Sequence, residues 1–293
     1  LSTGSIPVPA QGSNRWSRRT SAVVETASRA TPAPTLVGRL TPPSNLKQEN
    51  RRCYTGQMRA LLVVLSGPIS PERDEAYNDW YTDVHLPDVL AVPGYGRAAR
   101  YQAFSGERSL DQEYLALYEL EVADLAALRA VSNEHMRRIE AGEMQRSPPE
   151  TIDRDHVRSM YFMETGPRLG DHDDPPEAVF LPFTEPTSEE VDDEFNCWYQ
   201  EVHLPEVLGV PGFSAASRYV ETGINMTGRP WPVRFPYLAL YELGHGSKGA
   251  FDSTMTELRR RIAEGDRMEI SATLGSAKTS QAYTRITDRI TAA

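Results

Sequence analysis

One stretch of eleven residues occurs twice in this chain, as WYTDVHLPDVL at residues 80–90 and as WYQEVHLPEVL at residues 198–208. The likeness extends further, because residues 59–101 align with residues 177–219 without a gap. Two shorter strings recur later in each copy, namely YLALYEL at residues 114 and 237 and RRI at residues 137 and 260. Self-similarity of this extent predicts two copies of one structural unit.

Each copy has the hydrophobic pattern of a strand, a helix, two strands, a second helix and a last strand, an order typical of the ferredoxin-like βαββαβ unit. We place the first unit at residues 58–165, the second at residues 177–290, and a polar linker at residues 166–176. Residues 1–57 are rich in Ser, Thr, Pro, Gly and Arg and lack a hydrophobic period, so we expect a disordered tail. This tail is either non-native sequence or a transit-like segment.

The expected fold class is α+β, because the sheet of such a unit carries both helices on one face and must bury its other face elsewhere. In YLALYEL, alternation places Tyr114 and Tyr118 on one face and Leu115 and Leu117 on the other, so both faces are apolar. We therefore expect the two tandem units to pair sheet to sheet as an α+β barrel within one chain. Tyrosines are expected to line part of its interior.

The recurring motif contains one histidine in each copy, His85 and His203. The first helix is expected to end near His85, because Leu86 precedes Pro87 and is disfavoured in the helical conformation. A helix C-terminus and the acidic residues that flank each histidine favour the protonated imidazole, which suits proton transfer near neutral pH. Capping of the last carbonyls of the helix is the structural alternative.

The motif W-Y-x-x-V-H-L-P-x-V-L followed by V-P-G resembles the EthD-like branch of the dimeric α+β barrel superfamily. Members usually carry one unit and dimerise, whereas this chain carries two fused copies. The resemblance implies a cofactor-independent enzyme for small hydrophobic or aromatic metabolites, with the motif histidine facing the barrel cavity as general acid or base. The wider superfamily also contains haem enzymes, so the fold alone does not decide the reaction.

We therefore expect a lyase or isomerase, of decarboxylase, dehydratase or cyclase type, for an aromatic or polyketide-like metabolite. His85 and His203 are the candidate catalytic residues. The candidate substrate-binding residues are Trp80, Tyr81, Arg100, Tyr114, Tyr118, Trp198, Tyr199, Arg218, Tyr237 and Tyr241. For the two arginines, an ion pair with Glu119 or Glu242 is the alternative. Two other functions stay open, namely a non-catalytic ligand-binding or accessory protein of a catabolic pathway and a haem-dependent enzyme.

The charge of the chain argues against nucleic acid as a partner. Residues 1–57 contain eight basic and two acidic side chains, so the net charge of −10 leaves the rest of the chain at −16, which repels phosphate backbones.

No apolar run reaches the roughly 18 residues of a membrane-spanning helix, and we expect a soluble cytoplasmic protein without metal or cofactor. Association into a homodimer stays open. The two cysteines are too few for a disulfide framework, and Cys197 is expected to be buried.

Overall fold

The chain is seen here in a computed structural model that describes residues 58–106, 109–171, 175–266, 268–276 and 278–292. The predicted tail at residues 1–57 lies outside the described residues. The elements of the first half are β1 Met58–Ser66, α1 Asp74–Trp80, α2 Leu86–Leu90, β2 Tyr95–Ala103, β3 Tyr114–Val122, α3 Leu125–Ala141, β4 Arg158–Glu164 and β5 Leu169–Gly170. Those of the second half are β6 Ala178–Thr184, α4 Asp192–Trp198, α5 Leu204–Leu208, β7 Phe213–Glu221, β8 Tyr237–Leu243, α6 Lys248–Glu264, β9 Thr279–Arg285 and β10 Ile290–Thr291.

Eight antiparallel strands of the described residues close into one barrel, in the order β2-β3-β1-β4-β7-β8-β6-β9 and back to β2. The two seams between the halves are equivalent: residues 162–164 of β4 pair with residues 219–221 of β7, and residues 101–103 of β2 pair with residues 283–285 of β9. The short strands β5 and β10 add to β7 and β2. The predicted α+β class and the closed barrel are confirmed.

Alternate residues of each strand point into the barrel or outward to the helices. In β1, Leu61 and Val63 belong to the barrel interior, whereas Leu62 packs against the helices. A residual space of about 20 Å³ remains among the interior side chains, so the barrel is a packed core.

Tyrosines do line part of this interior, but they are Tyr101, Tyr219 and Tyr283. The tyrosines of the two YLALYEL strings lie on the opposite face, packed against the helices, and these are Tyr114, Tyr118, Tyr237 and Tyr241. The first two leucines of each string fill the barrel, whereas the last, Leu120 or Leu243, packs on the same side as the tyrosines. The sequence alternation is therefore as expected, and only the choice of face differs.

The first helix does not end at His85. Residues Tyr81–His85 form a π turn between α1 and α2, closed by a hydrogen bond from the N–H of Leu86 to the carbonyl of Tyr81. Proline lacks an N–H, and its ring crowds the carbonyl four residues earlier in an α-helix. The wider π turn accommodates Pro87, so the helix continues and the predicted stop is wrong.

The same succession of turns occurs in the second half, with a π turn at Tyr199–His203 ahead of Pro205. Cys197 lies just before this turn and is exposed, which corrects the expectation of a buried thiol. The reason is its place on the helix, because Phe195 and Tyr199 occupy the buried face.

An ionic cluster at the edge of the barrel core ties the two halves together. Arg168 of the linker donates from Nη2 to Glu242 at 2.9 Å and from Nη1 to Glu119 at 3.4 Å. Its side chain is 8% exposed and that of Glu242 is 3% exposed. Since Glu119 belongs to β3 and Glu242 to β8, one arginine neutralises carboxylates from both halves.

Replacing Arg168 with methionine removes this charge while keeping an apolar stem. We expect the free energy of unfolding to fall by about 3–5 kcal/mol, because a buried carboxylate loses its cation. Urea denaturation measures the change. The matched control is Arg234→Met, since Arg234 is 72% exposed and lies 3.5 Å from Glu185, and surface pairs contribute about 0–1 kcal/mol. Equal losses in the two variants would contradict the role given to Arg168.

Candidate active site

Each half contains a cavity between its sheet and its helices, outside the barrel. The first measures about 180 Å³ and the second about 240 Å³. The first is lined in part by Leu62, Val64, His85, Val89, Tyr118, Ile139 and Ser159. The residues at the equivalent positions of the duplication line the second, namely Phe180, Pro182, His203, Val207, Tyr241, Ile262 and Ser280. Both copies therefore keep one cavity with one motif histidine and one tyrosine.

A larger concavity of about 660 Å³ lies elsewhere, as an open groove beside Ser70 and His156. Neither motif histidine lines it. Within the described part of the chain, no three side chains of His, Cys, Asp or Glu are grouped so that they would hold a metal ion. The two smaller cavities are the candidate sites.

The π turn holds His85 between two aromatic rings. The imidazole stacks on Trp80 with centroids 4.9 Å apart and meets the edge of Tyr81 at 4.8 Å. His203 is packed in the same way, on Trp198 at 4.9 Å and Tyr199 at 4.8 Å. No hydrogen bond joins either ring nitrogen of His85 to the described residues, and the residue lines the first cavity.

Both motif histidines are neutral at physiological pH. Burial, assisted by the charge of Arg100, lowers the pKa of His85 to about 4. Burial lowers the pKa of His203 to about 4 as well, with contributions from the charges of Arg218 and Lys278. The expectation that the imidazole is protonated is therefore wrong.

The reason lies in the local geometry around His85. The helix continues beyond it, so the negative end of the helix dipole lies elsewhere. Of the two flanking carboxylates, Asp83 is exposed, and Asp88 accepts a hydrogen bond from the backbone N–H of Gln145 at 2.7 Å.

A second histidine lines the first cavity. His135 of α3 is 2% exposed, and its Nδ1 lies 2.8 Å from the hydroxyl of Tyr95, which bonds to the hydroxyl of Tyr161. Tyr161 donates to Sδ of Met226 at 3.2 Å. The donor order that satisfies all four groups runs from Nδ1–H of His135 through Tyr95 and Tyr161 to Met226. Nε2 of His135, which is buried without a partner among the described residues, then carries the lone pair.

Sequence reasoning missed this chain of groups. Burial lowers the pKa of His135 to about 3, so it too is neutral. The equivalent positions of the second half hold Phe213, Leu258 and Ala282 in place of Tyr95, His135 and Tyr161. The signal that would have found them is a polar residue in one copy where the other copy has an apolar core residue.

The longer hairpin of the second half contributes to the wall of the first cavity. Met226 and Thr227, which follow β7, are part of its wall. Backbone bonds fix this segment to β4, from Tyr161 N–H to the carbonyl of Ile224 at 3.1 Å and from Thr222 N–H to the carbonyl of Tyr161 at 3.1 Å. The first cavity is therefore built from both halves.

The predicted arginines line neither cavity. Arg100 is 1% exposed, donates to Thr82 Oγ1 and Asn78 Oδ1 at 2.8 Å each, and lies 4.4 Å above the ring centre of Tyr81. Arg218 is likewise buried, 3.9 Å above the ring centre of Tyr199. The predicted ion pairs with Glu119 and Glu242 are wrong, because those glutamates bind Arg168.

The other predicted site residues divide into three groups. Tyr118, Tyr199 and Tyr241 line a cavity together with the motif histidines. Trp80, Trp198 and Tyr81 instead hold a histidine ring in place. Tyr114 and Tyr237 donate to Asp74 at 2.6 Å and to Asp192 at 2.7 Å, away from both cavities.

The buried neutral histidines make stability depend on pH. Their pKa in the folded chain lies below the value near 6.5 of the unfolded chain, so unfolding takes up protons between about pH 4 and 6.5. The free energy of unfolding should fall as the pH drops through this range, by up to about 1.4 kcal/mol per pH unit for each histidine.

Urea denaturation at pH 7, 6 and 5 measures this slope, and His135→Leu should make it shallower. A slope unchanged by His135→Leu would contradict the assignment.

No family model matches the sequence, and no curated protein matches it. Three similar solved structures each superpose on more than three quarters of the chain. An anthrone oxidase-like protein has a TM-score of 0.47 at 15% identity, covering 80% of this chain and 93% of its own. A monooxygenase-like protein from Lactobacillus acidophilus has a TM-score of 0.43 at 8% identity, and the match covers 80% of this chain and 99% of that protein. A chlorite dismutase variant from Candidatus Nitrospira defluvii has a TM-score of 0.41 at 9% identity, and the match covers 78% of this chain and 91% of that protein. At this degree of likeness none of the three bears on function, and the fold rests on the strand order of this chain.

Proposed function

We propose that the first cavity is the active site of a cofactor-independent lyase or isomerase that moves a proton on a small, largely apolar substrate. One observation carries the proposal. Of the two equivalent cavities, the first combines a motif histidine with His135, whose ring is fixed by Tyr95 and Tyr161, and its wall includes residues from the hairpin of the other half. The second has apolar side chains in place of these three groups.

The volume and lining of the first cavity indicate the substrate class. A space of about 180 Å³ is close to the roughly 150 Å³ that holds benzene in an apolar protein interior. Its walls include Leu62, Val64, Val89 and Ile139. Polar contacts come from His85, His135 and Tyr118, so the substrate carries a single aromatic ring and one enolisable or phenolic oxygen.

The proton acceptor of the proposed reaction is His85. Its lone pair is free above about pH 4, and it takes a proton from the carbon next to a substrate carbonyl. Burial raises the pKa of Tyr118 well above its usual range, so its hydroxyl stays protonated. Among the described residues this hydroxyl makes one long bond, of 3.4 Å to Tyr81, and it can donate to the enolate oxygen instead.

Charge pairing then makes the weak base effective. An enolate next to His85 stabilises the imidazolium, so the pKa of the histidine rises during the reaction. Return of the proton to another carbon gives an isomerase, and loss of a leaving group from the enolate gives a lyase. The walls of the cavity are largely apolar, so few of its groups hold water beside the enolate.

Haem, which other members of the wider superfamily use, does not fit this site. Both cavities are smaller than the roughly 300–1,000 Å³ of cofactor and drug sites.

The architecture that we propose is a fused pair of ferredoxin-like units, at residues 58–165 and 177–290, of the EthD-like branch of the dimeric α+β barrel superfamily. The linker at residues 166–176 joins them. Support comes from the repeated motif, from the common strand order of the halves and from the equivalent cavities. The halves take the place of the two subunits of a dimeric barrel.

Exchange of a carbon-bound proton with solvent tests the proposed chemistry without knowledge of the natural substrate. The full chain is incubated with 2-indanone in D₂O, and loss of the proton signal next to the carbonyl is followed by NMR. We expect catalysed exchange, and we expect His85→Gln to slow it by about 10²–10⁴-fold. The rate should be level above about pH 5 and fall toward pH 4, because protonation of His85 removes the base.

The matched control is His203→Gln, which changes the equivalent histidine of the other cavity and should leave the rate within about twofold of the original. Equal losses in the two variants would overturn the assignment to the first cavity. Binding of 2-indanone without exchange would instead support the accessory, ligand-binding alternative, which the neutral histidines also permit as hydrogen-bond partners.

A further inference from the structure

The rims of the two cavities differ in charge. Arg259 of α6 and Lys278, just before β9, line the second cavity. The equivalent residues of the first cavity are Met136 and Val157. Ten lining positions correspond between the two cavities. The cavities are therefore alike in most of their lining, and the two cations are a difference at the rim.

Neither cation is neutralised by a neighbour. Among the described residues, no carboxylate lies within ion-pair distance of Arg259 or Lys278, and both side chains are exposed. The next arginines of α6 behave differently, since Arg260 and Arg261 both bind Glu257 at 2.8 Å. Two unpaired positive charges at the mouth of an apolar cavity, on an acidic chain, attract an anion to that mouth.

The body of the second cavity is apolar and contains an unpartnered polar atom. Its walls include Phe180, Phe213 and Leu258, around a space of about 240 Å³. Nδ1 of His203 is buried without a hydrogen-bond partner among the described residues. A ligand that fills this space would cover the apolar walls and leave its charged end among the rim cations.

We propose that the second cavity binds an amphipathic carboxylate, with an aromatic body between Phe180 and Leu258 and the carboxylate between Arg259 and Lys278. This site is separate from the proton-transfer reaction of the first cavity. It has the charge complementarity that the first lacks, since guanidinium and ammonium groups favour carboxylates.

Calorimetric titration of the full chain with 2-naphthoate and with its neutral counterpart 2-naphthamide tests this site. We expect naphthoate to bind at least tenfold more tightly than the amide, with an affinity that falls as salt is added. The double variant Arg259→Met with Lys278→Val, which copies the rim of the first cavity, should weaken naphthoate binding at least tenfold. It should leave the binding of the amide within about twofold.

Two further variants serve as controls. Arg260→Met removes an exposed arginine one residue from the rim and should leave naphthoate binding unchanged, whereas the charge-preserving Arg259→Lys should retain most of it. His85→Gln should abolish proton exchange without affecting naphthoate, so a failure of either proposal is recognised separately. Equal affinities for naphthoate and the amide, or no loss in the double variant, would overturn the carboxylate site.

Discussion

The structure depends on one constraint, which is that the sheet of each half is apolar on both faces. The helices of the same half bury one face, and only the other half can bury the second. In β3, Tyr118 meets the helices while Leu117 meets the opposing sheet. Closure of the barrel satisfies both faces at once and leaves only about 20 Å³ among the described interior side chains, so the two equivalent cavities lie outside the barrel, between sheet and helices.

Within that outer layer, the widened turn of the first helix decides the chemistry of the motif histidines. It carries the helix past Pro87, so that His85 lies within a helical run and not at its end. The rings of Trp80 and Tyr81 then cover the imidazole, and Arg100 lies behind Tyr81. Desolvation and a nearby cation both disfavour the charged form, and the result is a neutral base where the sequence suggests an acid.

The duplication, the element order and the barrel could be predicted from the sequence, because they follow from alternation, helical spacing and self-similarity. The choice of sheet face could not, since the tyrosines and leucines of YLALYEL are both apolar enough for either side. The residue before a proline is disfavoured in a helix, and this predicts a helix end at Leu86. The π turn removes the conflict with Pro87, so the helix continues. His135 is recognised only by comparison of the copies, which sets it against Leu258, and it acquires a role when α3 places it beside Tyr95 and Tyr161 from distant strands.

Met226 belongs to the second half of the chain but lines the cavity of the first half. In a dimer of identical subunits, every substitution appears twice, so a longer hairpin would line both cavities and a cation at one rim would be repeated at the other. Two copies of a repeat within one chain are not bound by that symmetry. Met226 lines the first cavity, whereas Arg259 and Lys278 line the second. The two cavities of this chain can therefore differ in lining while they share one core.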